Sequence, residues 1–153
     1  MAKKNLSQKV IRLLRKTEQF MLDEPRRFDM KYGVTGSFDV PGILEQPPCG
    51  TTCCIGGSMY VMLTKTPLTG EEIDWTEIMD HLQIKLGITR DGIFRKLFFM
   101  AALHGPSLYS DSDGTERWPK FYEDAYLAAK TPLQRVCVGI ARIEHFIATD
   151  GRE

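Results

Sequence analysis

Two adjacent cysteines, Cys53 and Cys54, are the residues whose type and position could do chemistry. They follow the segment Pro47-Pro48-Cys49-Gly50-Thr51-Thr52, in which proline favours extended backbone and glycine permits a sharp turn into a helix. A thiol at a helix N-terminus has its thiolate stabilised by unpaired N–H groups and by the helix dipole, so either cysteine could be a nucleophile. The alternative is that both are small, buried packing residues. We favour packing, because no sequence feature places a base beside either thiol.

Catalysis by these thiols would need a histidine close by. His104 is the best candidate because it precedes Gly105-Pro106 in a predicted loop, whereas His81 and His145 fall within predicted helices. The chain could therefore be a thiol-dependent enzyme that uses Cys54 or Cys53 with His104.

Metal binding and a disulfide are two other ways of using the cysteines. Cys49, Cys54 and a histidine could hold a stabilising metal, but structural zinc sites usually pair one Cys-x-x-Cys with a second pair of ligands, and no second pair follows here. A disulfide between Cys49 and Cys54 also stays open. We predict no bound metal and no cofactor.

Composition limits the broad class of the protein. The chain has 153 residues, 42% of them apolar and 26% charged, as expected for a globular protein. Its 20 basic and 20 acidic residues cancel, so there is no strong nucleic-acid signal. No apolar leader or membrane-spanning run occurs, and four cysteines are too few for a disulfide scaffold. We expect a cytoplasmic protein with no membrane partner.

Several enzyme classes are excluded by the motifs that the chain lacks. It has no Gly-rich phosphate loop ending in lysine, no dinucleotide-binding fingerprint and no Gly-x-Ser-x-Gly elbow. The common nucleotide-dependent enzymes and serine hydrolases are therefore not expected. We predict binding rather than catalysis.

The hydrophobic periodicity predicts one all-α domain over residues 1–153. It has about six helices and a long irregular segment at 26–48, within which residues 35–40 could form a short strand. The first helix should run over residues 5–22, with Asn5 as its cap and Gln8 completing a capping box. Its predicted inward stripe is Leu6, Val10, Leu13, Leu14, Thr17 and Met21.

The second helix, over residues 53–64, should be the buried centre of the molecule. Thr51 or Thr52 could cap it by accepting a backbone N–H. Gly56 and Gly57 each cost a helix about 1 kcal/mol relative to alanine. Two glycines in the first turns therefore indicate that another backbone approaches closely.

Four further helices are expected, over residues 71–86, 90–103, 118–129 and 132–149. Gly87 is a natural C-cap for the first of them, and Thr89 should cap the second. Thr131-Pro132-Leu133-Gln134 is the strongest helix start in the chain, with a Thr cap, Pro at the first position and Gln three residues after the cap. On the helix over residues 118–129, Phe121, Tyr122, Ala125 and Ala128 are available for packing. The apolar residues that the last helix carries are Leu133, Val136, Cys137, Ile140, Ile143 and Ile147.

Two segments carry a resemblance to a known group of proteins. Arg27-Phe28-Asp29-Met30 and Cys49-Gly50-Thr51-Thr52-Cys53-Cys54-Ile55-Gly56-Gly57 resemble small bacterial and phage proteins of uncharacterised function that carry a Phe-x-Met segment and a Cys-Gly-Thr-x-x-Cys-x-Ala-Gly motif. Weaker similarity continues through Trp118-Pro119 to the last helix. The resemblance implies a bacterial or phage origin, and it makes Cys49 and Cys54 the two motif cysteines. It implies no particular activity. Ser58 stands where the family often has Trp.

These observations lead to a functional hypothesis. We expect a bacterial or phage accessory protein that binds a protein or a small molecule, with the thiol enzyme and the metal-stabilised domain as alternatives. The residues assigned to binding lie in the segments that carry the resemblance: Cys49, Gly50, Thr51, Thr52, Arg27 and Trp118.

Overall fold

The computed structural model of the protein describes residues 4–30, 34–35, 51–88, 92–100 and 117–153. Within these ranges it is all-α, as predicted, apart from one pair of two-residue strands. The elements in chain order are α1 (Gln8–Asp23), a 3-10 helix (Pro25–Arg27), β1 (Val34–Thr35), β2 (Thr52–Cys53), α2 (Ile55–Thr64), α3 (Trp75–Leu86), α4 (Arg95–Phe98), α5 (Lys120–Ala128) and α6 (Pro132–Ala148). None of the described helices combines the length and the apolar character needed to cross a membrane.

Helix α1 buries the face that its periodicity predicts. All six residues of the predicted stripe are buried. The predicted cap was wrong, because the helix begins at Gln8 and Ser7 is the cap, its hydroxyl accepting the Val10 N–H at 3.3 Å. Asn5 is held elsewhere, since its backbone N–H donates to the Asp150 carboxylate at 2.8 Å and its side-chain amide donates to the Asp150 carbonyl at 3.1 Å.

Helix α2 is the buried central helix that the sequence predicts. Every residue from Ile55 to Val61 is buried, and the helix packs between α1 and α3. It begins at Ile55 rather than at residue 53, because Cys54 is its N-cap. The prediction that Thr51 or Thr52 caps it was therefore wrong.

The tight contact predicted at the α2 glycines exists at Gly56, but an aromatic ring makes it. A Cβ added to Gly56 would lie 2.8 Å from Cη2 of Trp75 and 3.4 Å from Cδ1 of Phe98. At Gly56 the predicted backbone neighbour was wrong, because this glycine leaves room for the Trp75 indole, which meets the Phe98 ring edge-on at 5.9 Å.

Helices α3 and α4 are both shorter than predicted. Asp74 caps α3 by accepting the Thr76 N–H at 2.7 Å, so the helix begins at Trp75 rather than at residue 71. Gly87 ends it in a left-handed conformation, φ 69°, as predicted. The helix predicted over residues 90–103 was too long. In the described part of this range α4 spans Arg95–Phe98, and Phe99 is extended, its carbonyl accepting the Trp118 N–H at 2.9 Å. Residues 89–91, with the predicted cap Thr89, and residues 101–103 lie outside the described ranges.

Helix α6 begins where the sequence predicts. The Thr131 hydroxyl accepts the Gln134 N–H at 3.2 Å, and the Gln134 side chain accepts the Thr131 N–H at 3.2 Å. Pro132 occupies the first helical position. The helix ends at Ala148, and Asp150 and Gly151 follow with positive φ.

The inward faces of α5 and α6 were predicted only in part. Val136 and Ile143 are buried as expected, and Tyr126 is the buried residue of α5. Phe121, Ala128, Leu133 and Cys137 are exposed instead of packed in the core. Arg142 is fully buried, which the sequence did not suggest.

A short strand pair joins two distant segments. β1 pairs with β2 in antiparallel fashion, with Val34 opposite Cys53 and Thr35 opposite Thr52. The strand predicted over residues 35–40 therefore includes one paired residue, Thr35. Residues 36–40, and the predicted irregular segment beyond them up to residue 48, lie outside the described ranges.

Candidate functional site

The end of the cysteine motif is built into the interior of the protein. Thr51, Thr52, Cys53 and Cys54 are all buried. The Thr51 hydroxyl accepts the backbone N–H of Gly70 at 2.7 Å. The Cys53 carbonyl accepts the N–H of Asp29 at 3.0 Å. The two described binding candidates of the motif, Thr51 and Thr52, thus lie in the core and help to join separate chain segments.

Cys54 caps helix α2, and its thiol is protonated at neutral pH. Its Sγ accepts the Gly57 N–H at 3.3 Å, which satisfies one of the unpaired donors of the first helical turn. Burial, with a smaller contribution from the charge of Asp29, raises the pKa of the thiol to about 11, although the hydrogen bonds from Gly57 and Gly56 lower it. Desolvation therefore outweighs the helix N-terminus, and at neutral pH the side chain is a thiol rather than a thiolate.

A buried polar cluster, formed by Asp29, Tyr126 and Arg135, lies near Cys54. Arg135 Nη1 is 3.5 Å from Asp29 Oδ2, and these side chains are only 12% and 7% exposed. The Tyr126 hydroxyl accepts the Met30 N–H at 2.9 Å, and the Arg135 guanidinium lies 5.1 Å from the Tyr126 ring centroid. Burial raises the pKa of Tyr126, and the Asp29 charge raises it further.

The buried polar cluster attaches the chain after the 3-10 helix to α5 and α6. Phe28 extends the same attachment, because its ring meets Tyr126 edge-on at 5.9 Å. Its Cζ would lie 2.8 Å from a Cβ added at Gly139. The ion pair, the hydrogen bond and the ring contacts of these residues are all made within the chain. The buried polar cluster therefore has a structural role.

The other two described binding candidates also contact the chain itself. The Arg27 guanidinium lies 4.2 Å from the centroid of the Phe20 ring. Trp118 is buried, and its indole N–H donates to the Leu97 carbonyl at 2.6 Å. Because its backbone N–H also binds Phe99, Trp118 fixes the chain entering α5 against the end of α4.

The predicted cysteine and histidine pairings cannot be assembled from the described residues. Cys49, Gly50 and His104 lie outside the described ranges. His81 contacts the Glu77 carbonyl at 3.1 Å, and His145 contacts the Glu153 carboxylate at 3.1 Å. Among the described residues, no three His, Cys, Asp or Glu side chains are placed to hold a metal ion.

Two further ionisable groups on or beside α6 have shifted pKa values. Burial lowers the pKa of Arg142 to about 10, and its guanidinium donates to the carbonyls of Lys96 at 2.9 Å and Glu153 at 3.0 Å. Burial also raises the pKa of Glu18 to about 7, assisted by a hydrogen bond and the charge of Glu144. Arg142 ties α4 to the last residues, so its role is structural.

A shallow, open groove lies between α5 and α6 in the described part of the chain, and the sequence did not predict it. It has a volume of about 590 Å³ and no charged lining residue; the lining is Ala125, Ala128, Ala129, Thr131, Leu133, Gln134, Cys137 and Val138. Phe121, 75% exposed, and Leu127, 48% exposed, project from the same helical hairpin. We call this surface the α5–α6 groove.

One sequence signal for the groove was available. Phe121, Ala125 and Ala128 are spaced as i, i+4 and i+7, which places them on one helical stripe, whereas the buried residue Tyr126 belongs to another. A surface helix needs one apolar stripe to pack against the core of its own chain. A second apolar stripe on the same helix therefore indicates a surface that is not covered by this core. Our prediction named Phe121, Ala125 and Ala128 as available for packing and did not single out Tyr126.

Comparisons with protein-family models, with curated proteins and with solved structures give no match to the chain. The resemblance to bacterial and phage proteins therefore stays a prediction that depends on the motif residues alone.

Proposed function

We propose that the protein acts by binding the apolar face of another protein chain in the α5–α6 groove. The cysteine motif then serves the fold and does no chemistry. As a finer part of the proposal, we place the protein in the cytoplasm of a bacterium or of a phage-infected cell, in keeping with its composition and its motif.

The observation that supports this proposal is the exposure of large apolar side chains around an uncharged hollow. Phe121 is 75% exposed and Leu133 is 52% exposed. Covering apolar surface contributes about 25 cal/mol per Å², and contiguous apolar patches commonly mark interaction sites. An uncharged lining offers nothing to a phosphate backbone, so a protein partner fits this groove better than a nucleic acid does.

The test uses a synthetic helical peptide as the probe. A dye-labelled amphipathic peptide with leucines at i, i+3, i+4 and i+7 presents the side chains that a helix-binding groove accepts. We expect saturable binding, measured by fluorescence anisotropy, and none by a matched peptide in which lysines replace the leucines.

Two variants show whether the groove is the binding surface. Ala128→Asp puts a carboxylate in the lining at an exposed position, so we expect the affinity to fall about tenfold or more because a charge loses its hydration there. Ile84→Asp is the matched control, since Ile84 is 78% exposed and lies on α3. Failure of the leucine peptide to bind, or equal affinity for Ala128→Asp and the wild type, would contradict the proposal.

The thiol-enzyme alternative has less support, because burial keeps the Cys54 thiol protonated. Turnover of a thioester or peptide substrate that Cys54→Ala abolishes would favour it over binding. The metal-stabilised alternative, which needs Cys49, would be favoured by metal found on elemental analysis of protein purified without added metal.

A further inference from the structure

The face around the α5–α6 groove holds both a projection and a hollow along one helix. Phe121 projects near the start of α5, and it is 75% exposed. Ala125 and Ala128 follow on the same stripe, and both line the groove. A large side chain at one end of a stripe and small ones at the other make a surface that can match itself.

A two-fold axis makes use of this pattern. In a symmetric dimer the same patch serves both partners, so each projection must meet a hollow of the other copy. If two α5 helices cross in antiparallel fashion with the axis between Asp124 and Ala125, Phe121 of each copy faces Ala128 of the other. Packed helices lie about 8–10 Å apart, and small residues at the crossing permit the closer separations.

Charge is compatible with this arrangement. The groove lining carries no charged side chain. Lys120 and Asp124, beside it on α5, already pair with each other, with both N–O distances below 3 Å (2.7 and 2.8 Å). Antiparallel packing also sets the positive N-terminal end of each helix beside the negative C-terminal end of the other.

From these observations we infer that the partner in the α5–α6 groove is a second copy of this chain, an inference that rests on the proposed function. Stable dimers usually bury about 800 Å² per partner, roughly a tenth of the 8203 Å² surface of this chain. Helix α5 has nine residues and is about 13 Å long at 1.5 Å per residue, so the face is smaller than that. The dimer is therefore weak and depends on concentration.

The inference is tested by sedimentation velocity on the full chain. The protein concentration is varied from about ten micromolar to about one millimolar, which covers the dissociation constants of weak interfaces. We expect the mean mass to rise from 17.4 kDa towards twice that value. Phe121→Ser should stay monomeric at every concentration, and Ile84→Ser, which removes an equally exposed apolar side chain from α3, should dimerise like the wild type.

The variant Ala128→Trp distinguishes a specific, fitted interface from nonspecific hydrophobic association. It adds apolar surface but fills the hollow that receives Phe121, so we expect a monomer. Stronger association of this variant, or equal weakening by Ile84→Ser and Phe121→Ser, would overturn the inference.

The dimer and the proposed function can fail separately. A wild-type chain that stays monomeric at the highest concentration but still binds the leucine peptide overturns the dimer and leaves the groove as a site for another protein. A monomer that also fails to bind the peptide overturns both proposals.

Discussion

The cysteine motif and the α5–α6 hairpin differ in opposite ways from what their sequences suggest. Residues 51–54 have the side chains typical of a reactive site, yet all four are buried and Cys54 caps a helix. The outer face of the hairpin has only small, apolar and uncharged polar side chains, none of them typical of a reactive site apart from Cys137, yet it forms an open groove. Reactive residue types therefore show where chemistry is possible, whereas exposure shows where a partner can reach.

The physical reason lies in what burial does to each kind of side chain. Burial removes water from a thiol and raises its pKa, so it suppresses reactivity. Exposure of an apolar side chain leaves a favourable transfer free energy that only a partner can recover. The three predictions that follow compare a buried position with a more exposed one of the same residue type or on the same helix.

The largest expected effect is that of Gly139→Val on stability. A Cβ at this position would lie 2.8 Å from Phe28 Cζ and 2.8 Å from Met21 Cε, so the core must shift. We expect the free energy of unfolding in urea to fall by about 3 kcal/mol, as for other overpacked cores. Ala141→Val, on the exposed face of α6, should lower it by no more than about 0.7 kcal/mol, the helix-propensity cost of valine. Equal effects of the two variants would refute the tight contact at Gly139.

The next effect is a loss of stability at alkaline pH. The pKa of Cys54 is raised from 9.0 to about 11 in the folded protein, so the folded state retains the proton longer than the unfolded state. This contribution is complete below pH 9 and is lost as the pH rises to 11, by about 2–3 kcal/mol in total.

Cys54→Ser should flatten this loss, because a serine hydroxyl does not ionise in that range. Tyr126, whose pKa is also raised, and Arg142, whose pKa is lowered to about 10 and whose contribution has the opposite sign, leave a pH dependence that the variants share with the wild type. Cys137→Ser, at an exposed thiol, is the matched control and should keep the wild-type slope. The measurement is urea unfolding at several pH values between 8 and 11. An unchanged slope in Cys54→Ser would show that the thiol titrates alike in both states.

The smallest effect concerns the hydroxyl of Tyr126. Tyr126→Phe leaves the buried Met30 N–H without its acceptor, which costs about 1–3 kcal/mol. Tyr122→Phe changes the half-buried tyrosine of the same helix, and we expect it to be close to neutral. Thermal unfolding followed by circular dichroism compares the two, and a larger loss for Tyr122→Phe would contradict this account.

Local signals predicted the parts of the fold that are decided locally. The Thr131 capping box, the Gly87 C-cap and the inward stripe of α1 each depend on residues within a few positions of one another. The α4 prediction failed because the Phe99 carbonyl binds Trp118, a residue that the sequence does not place nearby. Tertiary contacts of this kind override helix propensity.

The candidate site was harder to predict, for two physical reasons. Cys54 was missed as a cap because sulfur is a weak acceptor, and oxygen side chains are the usual caps. Buried Arg142 was missed because its acceptors, the Lys96 and Glu153 carbonyls, are distant in sequence. The groove was missed because periodicity marks apolar stripes without showing which stripe is covered.

The contact between Asn5 and Asp150 joins residues 145 positions apart. Leu6 contributes as well, because its N–H donates to the Asp150 carboxylate at 2.9 Å. A force that separates these two segments would act on these hydrogen bonds before it acts on the helix that each segment adjoins, α1 or α6.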